Sequence, residues 1–247
     1  MLYRKIQPYI ESYLKSDSNK VLIIDGARQI GKTFIIRHVG QQLFENYIEL
    51  NFAEDYNGPR LFEQVRTVKD FYFQVSTIAG ERMGEKKNTL IFLDEIQAYP
   101  HLLTMLKFLK QDDRFTYIAS GSLLGVTLKK TTSIPIGSIE IKRMFPLDFE
   151  EFCWALNEAP LIPYIRDCFE KRVPLERSMH NKAMLLFKQY LLVGGMPMSI
   201  VAFLEGQKDF GKSDVEKRDI LELYRNDIMK IKAQYRSKVL AIFDQIP

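Results

Sequence analysis

The chain has 247 residues, 46% of them hydrophobic and 12% aromatic, enough to bury the core of one large domain or two modest ones, which excludes disorder as the default. A net charge of +4, with 20 of the 35 basic and 16 of the 31 acidic residues in 1–145, is too mild to support nucleic acid as a partner. No apolar run approaches the roughly 20 residues that a bilayer needs, and the opening MLYRKIQPYIESYLKSD has no apolar signal core, so the protein is read as cytoplasmic and without a membrane span.

Ile6, Ile10 and Leu14 fall four apart and predict a leader helix within residues 3–15. Val21–Ile24 reads as a strand buried in a parallel sheet. Gly26-Ala27-Arg28-Gln29-Ile30-Gly31-Lys32-Thr33 then matches G-x-x-x-x-G-K-[ST], and the apolar Phe34–Ile36 opens a helix that runs to about Phe44. Strand, loop and helix come in the order that a phosphate loop requires. Gly26, Ala27, Arg28, Gln29, Ile30, Gly31, Lys32, Thr33 and Phe34 are therefore the candidate nucleotide-binding residues. Gly26 and Gly31 are expected to let the backbone turn so that its N–H groups converge on phosphate oxygens, at the positive end of the following helix. Lys32 is expected to reach the β- and γ-phosphates, and Thr33 to offer its hydroxyl to Mg²⁺.

Tyr47–Phe52 predicts a second strand, AEDYNGP a loop, and Leu61–Ile78 a helix. The polar GERMGEKKN leads into TLIFLDE, an apolar strand over Thr89–Glu95 that places two carboxylates at the carboxyl edge of the sheet. Asp94 is expected to hold the Mg²⁺ shell and Glu95 to polarise an attacking water. An apolar-Asp-Glu run is common by itself; it gains meaning from the phosphate loop about sixty residues before it. A helix over Pro100–Lys110 is followed by a strand, Phe115–Ser120, that ends in Ser120-Gly121-Ser122. If that strand lies between the phosphate-loop strand and the acidic one, Ser120 or Ser122 can sense the γ-phosphate; otherwise the serines cap a turn. Residues 123–137, with Lys129-Lys130, read as a loop, and the alternating Ser138–Lys142 as a fifth strand.

From Met144 the pattern becomes helical. Pro146 suits a helix start, and Phe149, Phe152, Cys153 and Leu156 follow at helical spacing to form, with Trp154, the face of a lid on the sheet. The polar stretch Asn157–Arg177, with Pro160, Pro163 and Pro174, is the boundary candidate. Helices are expected over Met179–Val193 and Pro197–Leu204, and Ser213 with Glu216 reads as the capping box of a helix to about Lys232. Cys153 and Cys168 read as small buried hydrophobes, and the scattered His38, His101 and His180 recommend no metal site. The expected fold is α/β: a P-loop NTPase three-layer sandwich with a parallel sheet of about five strands over 1–145, then a helical lid subdomain over 146–247. Val239–Ile246 is still apolar and periodic where the chain stops, as in a fragment of something longer.

GARQIGKT, LIFLDEIQ, YIASGS, PLDFEEF and LLVGGMP, in this order, resemble the prokaryotic AAA-like ATPases, in particular the group that joins such a core to a C-terminal nuclease-like domain of unknown function. The resemblance covers nearly all of the chain, and its more specific marks are Arg28-Gln29 and the P-L-x-F-x-E-F segment from Pro146. It implies ATP and Mg²⁺ as ligands, Lys32 and Thr33 on phosphate and metal, Asp94 and Glu95 as the acidic pair, and Ser120 or Ser122 in the sensor place. Asn51 would correspond to a polar residue that holds the catalytic glutamate in an inactive pose. Two departures stand out: Gly137-Ser138 replaces a Gly-Arg found in many relatives, and the chain ends about where the family's second domain would begin. The implied activity is ATP hydrolysis through a Walker A/Walker B site. The alternative is a nucleotide-gated binding switch with negligible turnover, its effector a protein partner or the further domain. The sequence leaves the oligomeric state open.

Overall fold

In the computed structural model, residues 2–16, 18–122, 137–229 and 233–245 are described. The expected loop over 123–136, the end of a helix near Lys232 and the closing Ile246 lie outside these residues. Two compact units result, one of Tyr3–Phe145 and one of Met1–Leu2 with Pro146–Pro247.

The first unit is built on five strands, β1 (Val21–Asp25), β2 (Asn46–Asn51), β3 (Thr89–Asp94), β4 (Thr116–Gly121) and β5 (Ile139–Arg143), in the order β2-β3-β4-β1-β5 with every pair parallel. Unbroken apolar runs such as VLIID and TLIFLD suit central strands covered on both faces, and every residue of β1 and β3 is buried. Helices α1 (Gln7–Lys15), α2 (Lys32–Leu43), α3 (Phe52–Asn57), α4 (Val68–Ala79) and α5 (Pro100–Asp112) complete the unit. Phe52, Phe62, Phe71, Ile91, Leu93, Leu103 and Leu106 share one core with Ile23 of β1. Because β4 lies between β1 and β3, the condition set for its serines is met.

Two expectations fail here for local reasons. AEDYNGP is mostly helical, since the Asn51 side chain accepts the N–H groups of Ala53 and Glu54 and so starts α3 at Phe52. The helix expected from Leu61 begins only at Val68, where Thr67 and Asp70 close a capping box; the apolar Leu61 and Phe62 precede it in a turn and Val65 in irregular chain.

The second unit is helical: α6 (Phe149–Ala155), α7 (Leu161–Lys171), α8 (Arg177–Val193), α9 (Pro197–Glu205), α10 (Phe210–Met229) and α11 (Ala233–Phe243). Its first helix starts not at Pro146 but behind Asp148, which caps reciprocally with Glu151. The boundary candidate Asn157–Arg177 contains α7, whose buried Leu161 packs with Cys153 and Leu186, so it is part of this unit. Phe152 packs on Tyr190 and Phe203, which covers the apolar face of α6 from within the same unit. Ser213 caps nothing: it lies inside α10, buried, with its hydroxyl 2.7 Å from that of Ser199. Both cysteines are buried. Among the described residues no single helix is long and apolar enough to cross a membrane.

Candidate nucleotide-binding site

The loop between β1 and α2 leaves the carboxyl end of a central strand, where a parallel sheet gathers its loops on one edge. Gly31 has φ 91°, a left-handed backbone at the start of α2 that disfavours any side chain, and Gln29 takes φ 63° beside it. Gly26 is required for a different reason from the turn expected of it. A Cβ there would lie 2.4 Å from the carbonyl oxygen of Met144 and 2.6 Å from Ile30 Cδ1, so backbone packs directly on backbone. Ile30 is wholly buried and can offer a ligand only its main chain, whereas Ala27, Gln29 and Phe34 are exposed and Arg28 is half-buried.

Arg4 completes the loop's support and was not singled out by its spacing. Its guanidinium, buried at 6% exposure, donates to the carbonyl of Ile30 at 2.8 Å and to that of Phe145 at 2.6 Å. The only signal in the sequence is an arginine beside an amphipathic leader, a pattern that ordinarily denotes a solvated charge.

Lys32 is 4% exposed, and its ammonium donates to the carbonyls of Gly26 at 3.1 Å and Ala27 at 2.8 Å. Burial pushes its pKa down, against the pull of Glu95, Asp94 and Asp25. Thr33 Oγ1 donates to Asp94 Oδ2 at 2.9 Å, and Ser120 donates to the other carboxylate oxygen. Asp94 is 3% exposed; burial raises its pKa, and the Ser120 and Thr33 hydroxyls hold it down. Asp94 and Lys32 are thus each shifted toward neutrality, as buried charges without a full counter-charge are.

Glu95 leaves β3 with φ 53°, a left-handed conformation uncommon for a side-chain-bearing residue, and its N–H donates to Asp94 Oδ1 at 3.1 Å. Its carboxylate accepts from Gln97 Nε2 and, at 3.2 Å, from Ser122 Oγ. Both serines therefore enter the site, Ser120 on Asp94 and Ser122 on Glu95, and neither is a mere turn cap. Asn51 does not hold Glu95. Its amide donates to Glu54 at 2.8 Å while its oxygen caps α3, so that side chain is committed elsewhere even though Asn51 pairs with Asp94 in the sheet. Of the arginines, Arg114 precedes β4, roughly 20 Å of strand away from the site edge, and is placed by Asp112 and the Tyr72 ring. Arg143 ends β5 with its guanidinium exposed, 3.8 Å from Asp25.

The raised pKa of Asp94 has a consequence for stability. A carboxyl whose folded pKa exceeds its unfolded one weakens the fold in full at pH values above the folded pKa; the deficit shrinks as pH falls below that value and is gone below the unfolded pKa. At pH 7, without ligand, Asp94→Asn is expected to raise unfolding stability by on the order of 1 kcal/mol. Urea unfolding measures it; a lowered midpoint would mean that the hydrogen bonds from Thr33 and Ser120 outweigh desolvation.

Comparison with known proteins gives the family. The profile of an AAA domain matches residues 18–153. Among solved structures, a Walker-type ATPase of Pyrococcus abyssi superposes with a TM-score of 0.51 at 15% identity, covering 93% of this chain and 74% of that one. PCH-2 of C. elegans gives 0.49 at 13% identity, over 88% of this chain and 69% of its own. No curated protein sequence matches. The AAA-domain profile takes in more than half of the chain, and the sheet carries the matching loop and acidic strand with one strand, β4, between them, so the chain belongs to the AAA-domain family of P-loop ATPases.

Proposed function

We propose that the chain binds ATP with Mg²⁺ and hydrolyses it to ADP and phosphate at the carboxyl edge of β1, β3 and β4. The observation that carries this reading is the pairing of Thr33 with Asp94 at 2.9 Å, beside a buried ammonium and a second carboxylate. A hydroxyl and a carboxylate offer the hard oxygen ligands that Mg²⁺ takes, and Asp94, raised in pKa by burial, gains a counter-charge when it does so. Thr33 and Asp94 would hold the metal, which would supply positive charge to the phosphates. Lys32 exchanges its bonds to Gly26 and Ala27 for bonds to phosphate oxygens, and the amides of the loop add theirs. Glu95 takes a proton from the attacking water as its oxygen bonds to the γ-phosphorus and the bond to the β,γ-bridging oxygen breaks. Thr33 and Ser120 keep the Asp94 carboxylate oriented. The helical pattern of 146–247 supports its reading as a lid subdomain.

Phosphate release from ATP, abolished by EDTA and restored by Mg²⁺, tests the reading. ATP binding with release no faster than that of a Glu95→Gln variant would instead favour a nucleotide-gated switch.

On the family resemblance Ser138 stands where many relatives have arginine, and Arg114 lies at the wrong edge of the sheet. The chain assayed alone is therefore expected to hydrolyse ATP slowly, at a specific rate that stays flat as protein concentration rises. A rate that climbs with concentration and falls in Arg143→Ala or Arg28→Ala would show that a neighbouring copy donates the arginine.

A further inference from the structure

We propose that Gln97 is the positioning residue that sets the pose of Glu95, by tying its carboxylate to the end of β4; the proposal rests on the ATPase reading above. The left-handed backbone at Glu95 opens a single tight turn, Ile96–Ala98, whose Ile96 is wholly buried. That turn brings residue 97 back over residue 95. The Gln97 oxygen accepts the backbone N–H of Ser122 at 3.2 Å, and since a backbone N–H can only donate, the amide nitrogen must face the other way. There it meets Ser122 Oγ at 3.1 Å and the Glu95 carboxylate. Ser122 Oγ in turn reaches the same carboxylate oxygen, which closes a three-membered clasp of Glu95, Gln97 and Ser122. Each end of the amide thus has a distinct partner, one on the second acidic residue and one on the strand that separates it from the phosphate loop. Asn51, which the resemblance would have hold the glutamate in an inactive pose, is engaged by Glu54 and the start of α3; Gln97 is the residue on Glu95, and it acts in the opposite sense, holding a productive pose.

Gln97→Met keeps the length of the side chain and removes both ends of the clasp. Its kcat is expected to fall by roughly 10- to 100-fold, the usual effect of misplacing a reacting group by about an ångström, with KM and Kd for ATP within about twofold of wild type. In a Glu95→Gln background the same substitution should cost nothing further, because the group it positions is already disabled. If Glu95→Gln alone keeps wild-type turnover, the ATPase reading of Glu95 fails. If Glu95→Gln abolishes turnover while Gln97→Met keeps wild-type kcat, or costs the same factor in both backgrounds, that reading stands and the proposal is overturned. Should Gln97→Met not fold, Gln97→Glu retains the acceptor for Ser122 and sets an oxygen against Glu95; a loss of kcat at unchanged KM supports the proposal, and wild-type kcat overturns it.

Discussion

Glu95→Gln is expected to slow ATP hydrolysis by ~10²- to 10⁴-fold, the usual worth of a general base, while ATP still binds. The substitution preserves size and leaves an oxygen for the Ser122 hydroxyl, now 3.2 Å from the carboxylate. It removes the lone pair that would take the water's proton. Binding is spared because the loop, Lys32 and the Thr33–Asp94 pair are untouched. Single-turnover phosphate release, with a fluorescent ATP analogue titrated in parallel, separates the two effects. Wild-type turnover would require another base, and the nearby carboxylates, Asp94 and Asp25, are buried at 3% and 7% exposure.

Lys32→Ala is expected to weaken ATP binding by ~10²-fold, since hydrogen bonds to charged groups contribute about 1.5–3 kcal/mol and the ammonium can make more than one to the phosphates. The ligand-free fold should survive. Burial already lowers the pKa of Lys32, so removing a desolvated cation offsets the loss of its bonds to Gly26 and Ala27. Equilibrium titration checks the affinity and a thermal melt checks the fold. Wild-type affinity in a folded variant would remove the phosphate-loop assignment.

Much of this arrangement was legible in the residues because it is local. The loop from Gly26 to Thr33, the apolar strand before it and the acidic end of β3 each sit within a dozen residues, and the parallel sheet follows from uniformly apolar strands. The misses have a common cause in partners distant along the chain. Gly26 appeared as a turn residue because nothing near it in sequence discloses Met144 lying 2.4 Å from its missing Cβ. Gln97 stood in the sequence only as the last residue of LIFLDEIQ, and only the neighbouring strand shows that its amide reaches Ser122. Asn51 misled in the opposite sense: its role is local, a cap on Ala53 and Glu54, and the expected long-range role does not hold. Ser213 appeared as a cap by its spacing to Glu216, and the burial that pairs it with Ser199 carries no mark in the sequence.

The buried guanidinium of Arg4 joins two carbonyls more than a hundred residues apart, one in the phosphate loop and one at the last residue of the core unit. One planar guanidinium bonded to both carbonyls ties Ile30 to Phe145 through the fourth residue of the chain. Trimming the first four residues would thus leave the carbonyls of Ile30 and Phe145 without the donor that they share.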